Sequence, residues 1–261
     1  MRNIYDIVDL PFCMKIGYLQ FEPRFGRVKE NLQTIADLIR ACDLDLVVLP
    51  ELCTTGYSFL NKQEVRKYAE PVEGESTQLF IALAAECDIT IVFSMVEVKK
   101  RKYFISSIIA SRDGVMGVYR KRKLAQSELQ LFKPGKEKPQ IYTVNGYRLG
   151  LMICVEFRYP EIFAELVELG AEIICHSANS GTTQSMAIME EYSKQYGVIS
   201  ISANRLGKEN RGQHKYNFIG CSQIIIPMES GEVRNISMEN IRGCRGFDLR
   251  DDNEKASFNQ F

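Results

Sequence analysis

GLMICVEFRYPE, residues 150–161, places a cysteine at the end of an apolar run and a charge almost directly after it. Residues 149–153 read as a central strand, and Pro160 with Ile162, Phe163, Leu166 and Val167 reads as the start and inner face of a helix. A strand-turn-helix corner turns the sulfur outward, beside free backbone N–H groups and the positive end of a helix dipole. Both favour a thiolate and an oxyanion. Cys154 is therefore the first candidate for chemistry. A buried structural cysteine is the alternative reading, because free cysteine packs well in cores.

Strands and helices alternate on either side of this corner. Upstream, CMKIGYLQ (13–20) reads as a strand, Val28, Leu32, Ile35, Ile39 and Cys42 mark one helix face, and LDLVVLP (44–50) is the next strand. A helix over 78–85 leads to ITIVFSMVEV (89–98), YFISSIIASR (103–112) and VMGVYR (115–120), with Asp113-Gly114 turning between the last two. Asn145-Gly146 closes a second hairpin, between QIYTV (140–144) and YRLGLMIC (147–154). Downstream come AEIICHSA (171–178), a helix over 183–196, VISISAN (198–204), and the pair FIGCSQIIIP (218–227) and EVRNI (232–236). Mixed βα and ββ connections argue for an α/β protein with strands in two sheets and helices on their outer faces. No linker or repeat interrupts the order, so a single domain over 1–261 is expected, with a polar arm or disordered tail after Leu249.

Composition narrows the partners. Lys plus Arg equals Asp plus Glu at 33 each, so there is no global basic field for nucleic acid and no polybasic patch for anionic lipid. A small neutral or weakly charged molecule is the expected partner. No apolar stretch approaches membrane-spanning length, and MRNIYDIVDLPFC carries two aspartates where a signal peptide needs an apolar core, which points to the cytoplasm. The eight cysteines, at 13, 42, 53, 87, 154, 175, 221 and 244, show no CxxC pair or framework spacing, so reduced thiols are expected. The two histidines, His176 and His214, lie in no ligand-spaced cluster, so no metal site is expected.

Two further segments carry chemistry. In LPELCTTGY, Glu51 follows a buried run, where a carboxylate is costly unless it is used or paired; a surface charge at a strand end is the alternative. In GVYRKRKL, Lys121 ends another strand and is followed by SELQLFKPG with Glu128, although a surface basic cluster is the common meaning of RKRK. Strand ends in a layered α/β protein gather along one rim, which would bring Glu, Lys and Cys together. Glu51 would then take the thiol proton, while Lys121 and the Val155 N–H stabilise an oxyanion.

With these motifs in order, the chain resembles the nitrilase superfamily of carbon–nitrogen hydrolases over nearly its whole length. LPELCTTGY looks like the family's glutamate motif, YRKRKL its lysine motif, ELQLFKPG its second-glutamate segment and CVEFRYPE its cysteine motif. GYLQ with Asn31 downstream, ELGAEII, SANRLG, FIGCSQIIIP and FDLR agree as landmarks. The resemblance implies a four-layer αββα sandwich with two mixed β-sheets, and subunits paired through outer helices into a homodimer or larger homo-oligomer. It implies catalysis by Glu51, Lys121 and Cys154 with Glu128 in support, and no cofactor. Three features depart from the family pattern: Lys123 in place of a frequent histidine, Gln195 in place of a common glutamate, and the lack of tryptophan. Val155 and Glu156 fit no single branch.

The expected reaction is hydrolysis of a small carboxamide to acid and ammonia through a Cys154 thioester. Nitrile hydrolysis, N-carbamoyl hydrolysis and acyl transfer are the rivals among enzymes, and a non-catalytic binding protein on the same fold is the rival outside them. Tyr57, Phe59, Asn179 and Val155 are expected at the substrate. His176 reads as a strand-end histidine with one local hydrogen bond, Cys53, Cys175 and Cys221 as packing, and Arg158 as a brace to Glu161 or Glu156.

Overall fold

Strands apolar on both faces must be covered on both faces, and the chain satisfies this with two packed sheets and helices outside them. A computed structural model describes residues 14–249 and the backbone of 257–260. The first sheet is built from β1 (Lys15–Gln20), β2 (Leu46–Val48), β3 (Thr90–Lys99), β4 (Lys102–Ser111) and β5 (Gly114–Arg120). The second begins with β6 (Tyr142–Val144), β7 (Tyr147–Ile153), β8 (Ile173–Ala178) and β9 (Ile199–Asn204). β10 (Leu206–Arg211) and β11 (His214–Ile219) form a separate hairpin. β12 (Ser222–Pro227) and β13 (Val233–Met238) extend the second sheet, while β14 (Gly243–Asp248) and β15 (Ser257–Gln260) return to the first. The orders are β15-β14-β1-β2-β3-β4-β5 and β13-β12-β9-β8-β7-β6. Both sheets are mixed: β1, β2 and β3 are parallel, as are β7, β8 and β9, with antiparallel strands outside them.

Period-two alternation sorts each strand's side chains between two cores. Ile16, Tyr18, Leu46, Val48, Val92 and Val96 face Leu149, Leu151, Ile153, Ile173 and Cys175 between the sheets. Leu19, Val47, Leu49, Ile91 and Phe93 pack outward on α1 (Val28–Arg40) and α3 (Glu75–Cys87) through Ile35, Ile39, Phe80 and Leu83. Met152 and Ile174 pack on α4 (Pro160–Glu168) and α5 (Gln184–Tyr196) through Phe163, Leu166 and Met189. The result is the αββα order of layers. A short α2 (Lys62–Tyr68), capped by Asn61 and burying Val65, lies between β2 and α3.

Several expectations need correction. FIGCSQIIIP is two strands, because the chain breaks at Gly220 and Cys221, both with positive φ. Cys42 and Cys244 are paired as a disulfide rather than reduced, since packing of α1 on β14 brings their Cα atoms to 6.5 Å across 202 residues of sequence. The tail is not wholly an arm, for β15 pairs with β14 at the sheet edge; the remainder of that segment, and residues 1–13 used for the localisation reading, lie outside the described residues. Among the described residues no helix is long and apolar enough to cross a membrane.

Candidate active site

The two sheets meet at the rim where β2, β5, β7 and β8 end. Ser177 at the end of β8 donates to the Leu49 carbonyl at 2.8 Å, and the Glu51 N–H donates to the Ala178 carbonyl at 3.4 Å, so the glutamate segment is tied to the opposite sheet. Lys121, held by its N–H to the Ile105 carbonyl at 2.9 Å, points its ammonium between two carboxylates. Nζ donates to Glu51 Oε1 at 2.7 Å and to Glu128 Oε1 at 2.8 Å, and all three side chains are buried. Glu128 also accepts from Tyr57 OH at 2.9 Å and, through Oε2, from the Ala125 N–H at 2.8 Å. Cys154 directly follows β7 with φ +47°, a left-handed conformation costly for a residue with a Cβ. A 3-10 turn over Cys154–Arg158 follows, placing Val155 where backbone N–H groups have no partner within the turn.

Burial and mutual charge set the protonation states. Burial pushes the Glu51 carboxyl up and Lys121 only partly offsets it, leaving it at about 7. Burial pulls the Lys121 ammonium down, but Glu128 and Glu51 outweigh this and hold its proton well above the ordinary lysine range. Burial, reinforced by Glu51, pushes the Cys154 thiol up, against the pull of Lys121. The resting group is therefore a thiol in need of a base. Glu51 Oε2 has no hydrogen-bond partner of ordinary geometry, and the Cys154 thiol draws this carboxyl's pKa down.

The loop carrying Lys121 is fastened to the cysteine corner. Glu156 Oε1 accepts from Tyr119 OH and the Arg122 N–H, both at 2.7 Å, and Oε2 accepts from the Ile153 N–H at 2.8 Å. Arg122 pairs with Glu165 at 2.5 Å, and Lys123 with Glu161 at 3.6 Å, while Arg120 pairs with Glu97. RKRK is thus a set of individually paired cations, not a basic patch. Glu156 is a brace, which explains a buried carboxylate two residues from the cysteine. Burial pushes its pKa up despite those donors.

His176 makes two hydrogen bonds instead of the single one expected. Nε2 lies 3.0 Å from the Cys154 carbonyl and Nδ1 3.1 Å from Ser202 Oγ. Burial lowers its pKa to about 4, so the ring is neutral, and a carbonyl only accepts, so Nε2 carries the proton. Arg158 braces neither expected glutamate; its guanidinium lies 5.5 Å from the Phe157 ring centre.

Asn179, just past β8, is buried with both amide atoms unpartnered, and its backbone lowers the Cys154 thiol pKa against the effect of burial. Tyr57 and Phe59 line a small cavity of about 10 Å³ beside Glu128, with Phe132, His214 and Tyr216. The last two belong to the β10–β11 hairpin, which polar LGKENRGQHKYNFI does not reveal by apolar periodicity. Tyr216 next to Phe218 on alternate positions was the available signal. Among the described residues no group of three His, Cys, Asp or Glu side chains is placed to hold a metal ion.

Comparison with known proteins agrees with this architecture. The carbon-nitrogen hydrolase family model matches residues 15–230. A nitrilase of Pyrococcus abyssi is 30% identical over 230 residues, covering 87% of this chain and 86% of that protein. An (R)-stereoselective amidase of a Pseudomonas species is 29% identical over 236 residues, covering 85% and 84%. The crystal structure of a carbon-nitrogen hydrolase from Helicobacter pylori G27 superposes with a TM-score of 0.81 at 22% identity, covering 91% of this chain and 89% of that one. The chain belongs to the carbon–nitrogen hydrolase family of the nitrilase superfamily and is an enzyme of that class.

Proposed function

We propose that the protein hydrolyses a small carboxamide to the acid and ammonia, with Cys154 as nucleophile, Glu51 as general base and acid, Lys121 as oxyanion donor and Glu128 as its support. The observation that carries this reading is the buried Glu51–Lys121–Glu128 cluster beside a thiol that cannot ionise unaided. Glu51 takes the thiol proton on Oε2 as Sγ attacks the amide carbon, and the carbonyl oxygen becomes an oxyanion facing Lys121 Nζ and the Val155 N–H. Collapse breaks the C–N bond while Glu51 returns its proton to the departing ammonia. Water then adds to the thioester, losing a proton to Glu51, and the acid leaves as that proton returns to sulfur. A carboxyl titrating at about 7 serves both directions of transfer near neutral pH. Asn179, with a free donor and acceptor, is the group we assign to the substrate amide; Tyr57 and Phe59 supply the wall.

A panel of amides, nitriles and carbamoyl compounds scored for ammonia tests the reaction class. Nitrile hydrolysis is the second reading, favoured by the identity with the Pyrococcus nitrilase. With the best amide, Cys154→Ala is expected to abolish turnover, and a slow ester should leave one acyl group on Cys154 by intact mass. Near-normal ammonia release from Cys154→Ala overturns the proposal.

A further inference from the structure

Tyr57 reaches Glu128 from a loop with no regular secondary structure, yet its hydroxyl is held at hydrogen-bond distance. What fixes that loop is the β10–β11 hairpin. Glu209 on β10 is buried, and its carboxylate accepts from the Ser58 N–H at 2.7 Å and the Tyr57 N–H at 3.1 Å. Opposite Glu209 in the hairpin register stands Tyr216, whose ring meets the Tyr57 ring edge-on at 5.3 Å; Phe218 meets it at 6.0 Å. One hairpin therefore grips both the backbone and the ring of Tyr57. The carboxylate is itself held by fully buried Arg205, which also donates to the Pro23 carbonyl at 2.7 Å and lies 4.4 Å from the Phe218 ring centre. Gly56 makes room for this contact. A Cβ there would come within 2.7 Å of Glu209 Oε1, and its φ of +80° suits glycine.

We propose that Glu209 is a positioning residue: by holding two consecutive N–H groups it aims Tyr57 OH at Glu128, and so holds Lys121 in register with Glu51 and Cys154. A buried ion pair is a poor source of net stability, because desolvation offsets most of its attraction, whereas a charged acceptor for two N–H groups is a precise anchor. The proposal rests on the reading of Cys154, Lys121 and Glu51 given above.

The test is a double-mutant cycle on Glu209→Gln and Tyr57→Phe, read as kcat on the best amide of the panel and as the alkylation rate of Cys154 by iodoacetamide. Glu209→Gln should lower both by about ten- to a hundredfold, with KM changed by less than about threefold. Tyr57→Phe, which keeps every ring contact, should lower both as well. The double variant should lose no more than the worse single variant, because the two substitutions cut one chain of contacts. Fully multiplicative losses, or wild-type rates in folded Glu209→Gln, overturn the proposal. If Glu209→Gln does not fold, Arg205→Met/Glu209→Gln removes both buried charges together and takes its place. Wild-type kcat and alkylation rate in Tyr57→Phe overturn the proposal whatever the Glu209 variants do. Should Cys154→Ala remain active, the underlying catalytic reading fails instead.

Discussion

Glu51 has one oxygen on Lys121 and one without a conventional partner, and burial outweighs the lysine charge to leave its carboxyl at about 7. A group whose pKa is raised in the folded state favours folding in its protonated form, and that contribution is lost as pH rises through 7. The proposed base is thus held at the expense of stability, as functional carboxylates often are. Below pH 7 Glu51 keeps its proton and cannot receive that of the thiol. On the best amide, kcat/KM should therefore rise with pH across a limb centred near 7; a profile flat down to about pH 5 would remove Glu51 as the base. Glu51, Lys121 and Cys154 were legible because each stands at the end of a strand-like apolar run in the sequence. Glu209 was not, since it lies in a polar stretch, two of its partners are backbone N–H groups 151 and 152 positions away, and an arginine four residues before a glutamate is an ordinary surface pairing.

Elements apolar on both faces announced themselves, and β1, β3, β4, β7, β8 and β9 lie where the sequence places strands. The elements that escaped carry few large apolar residues in a regular pattern. α2 buries Val65, β14 has glycine at two of its six positions, and β10–β11 stands apart from both sheets. Their existence depends on partners distant in sequence, which periodicity does not report. The 3-10 turn at Cys154–Arg158 shows the same limit at short range: the corner was readable, but not the carboxylate closing it. Glu156 joins β7 to the segment after β5, and its loss would leave Tyr119 OH and the Ile153 and Arg122 N–H groups without an acceptor. Glu156→Ala should cost at least about 3 kcal/mol by urea denaturation, and Glu156→Gln, which keeps an acceptor oxygen, should cost less. Equal stability in wild type and Glu156→Ala would show that other contacts hold the corner.

At the scale of the whole molecule, the proposed catalytic set straddles a seam. Glu51 and Lys121 leave the first sheet, Cys154 and Asn179 the second, and bonds from Ser177 and Glu51 cross between them. Either sheet alone holds an incomplete set. A site of this kind cannot survive in a partly opened form in which one sheet keeps its order while the other loosens. Activity then becomes a gauge of sheet-to-sheet docking, and its loss in rising urea should coincide with the loss of near-ultraviolet circular dichroism. Activity disappearing well before that signal would reveal local opening at the rim. If the two traces superimpose, the enzyme has no half-working state: a newly made chain gains its reactive thiol only when its two sheets have closed on one another.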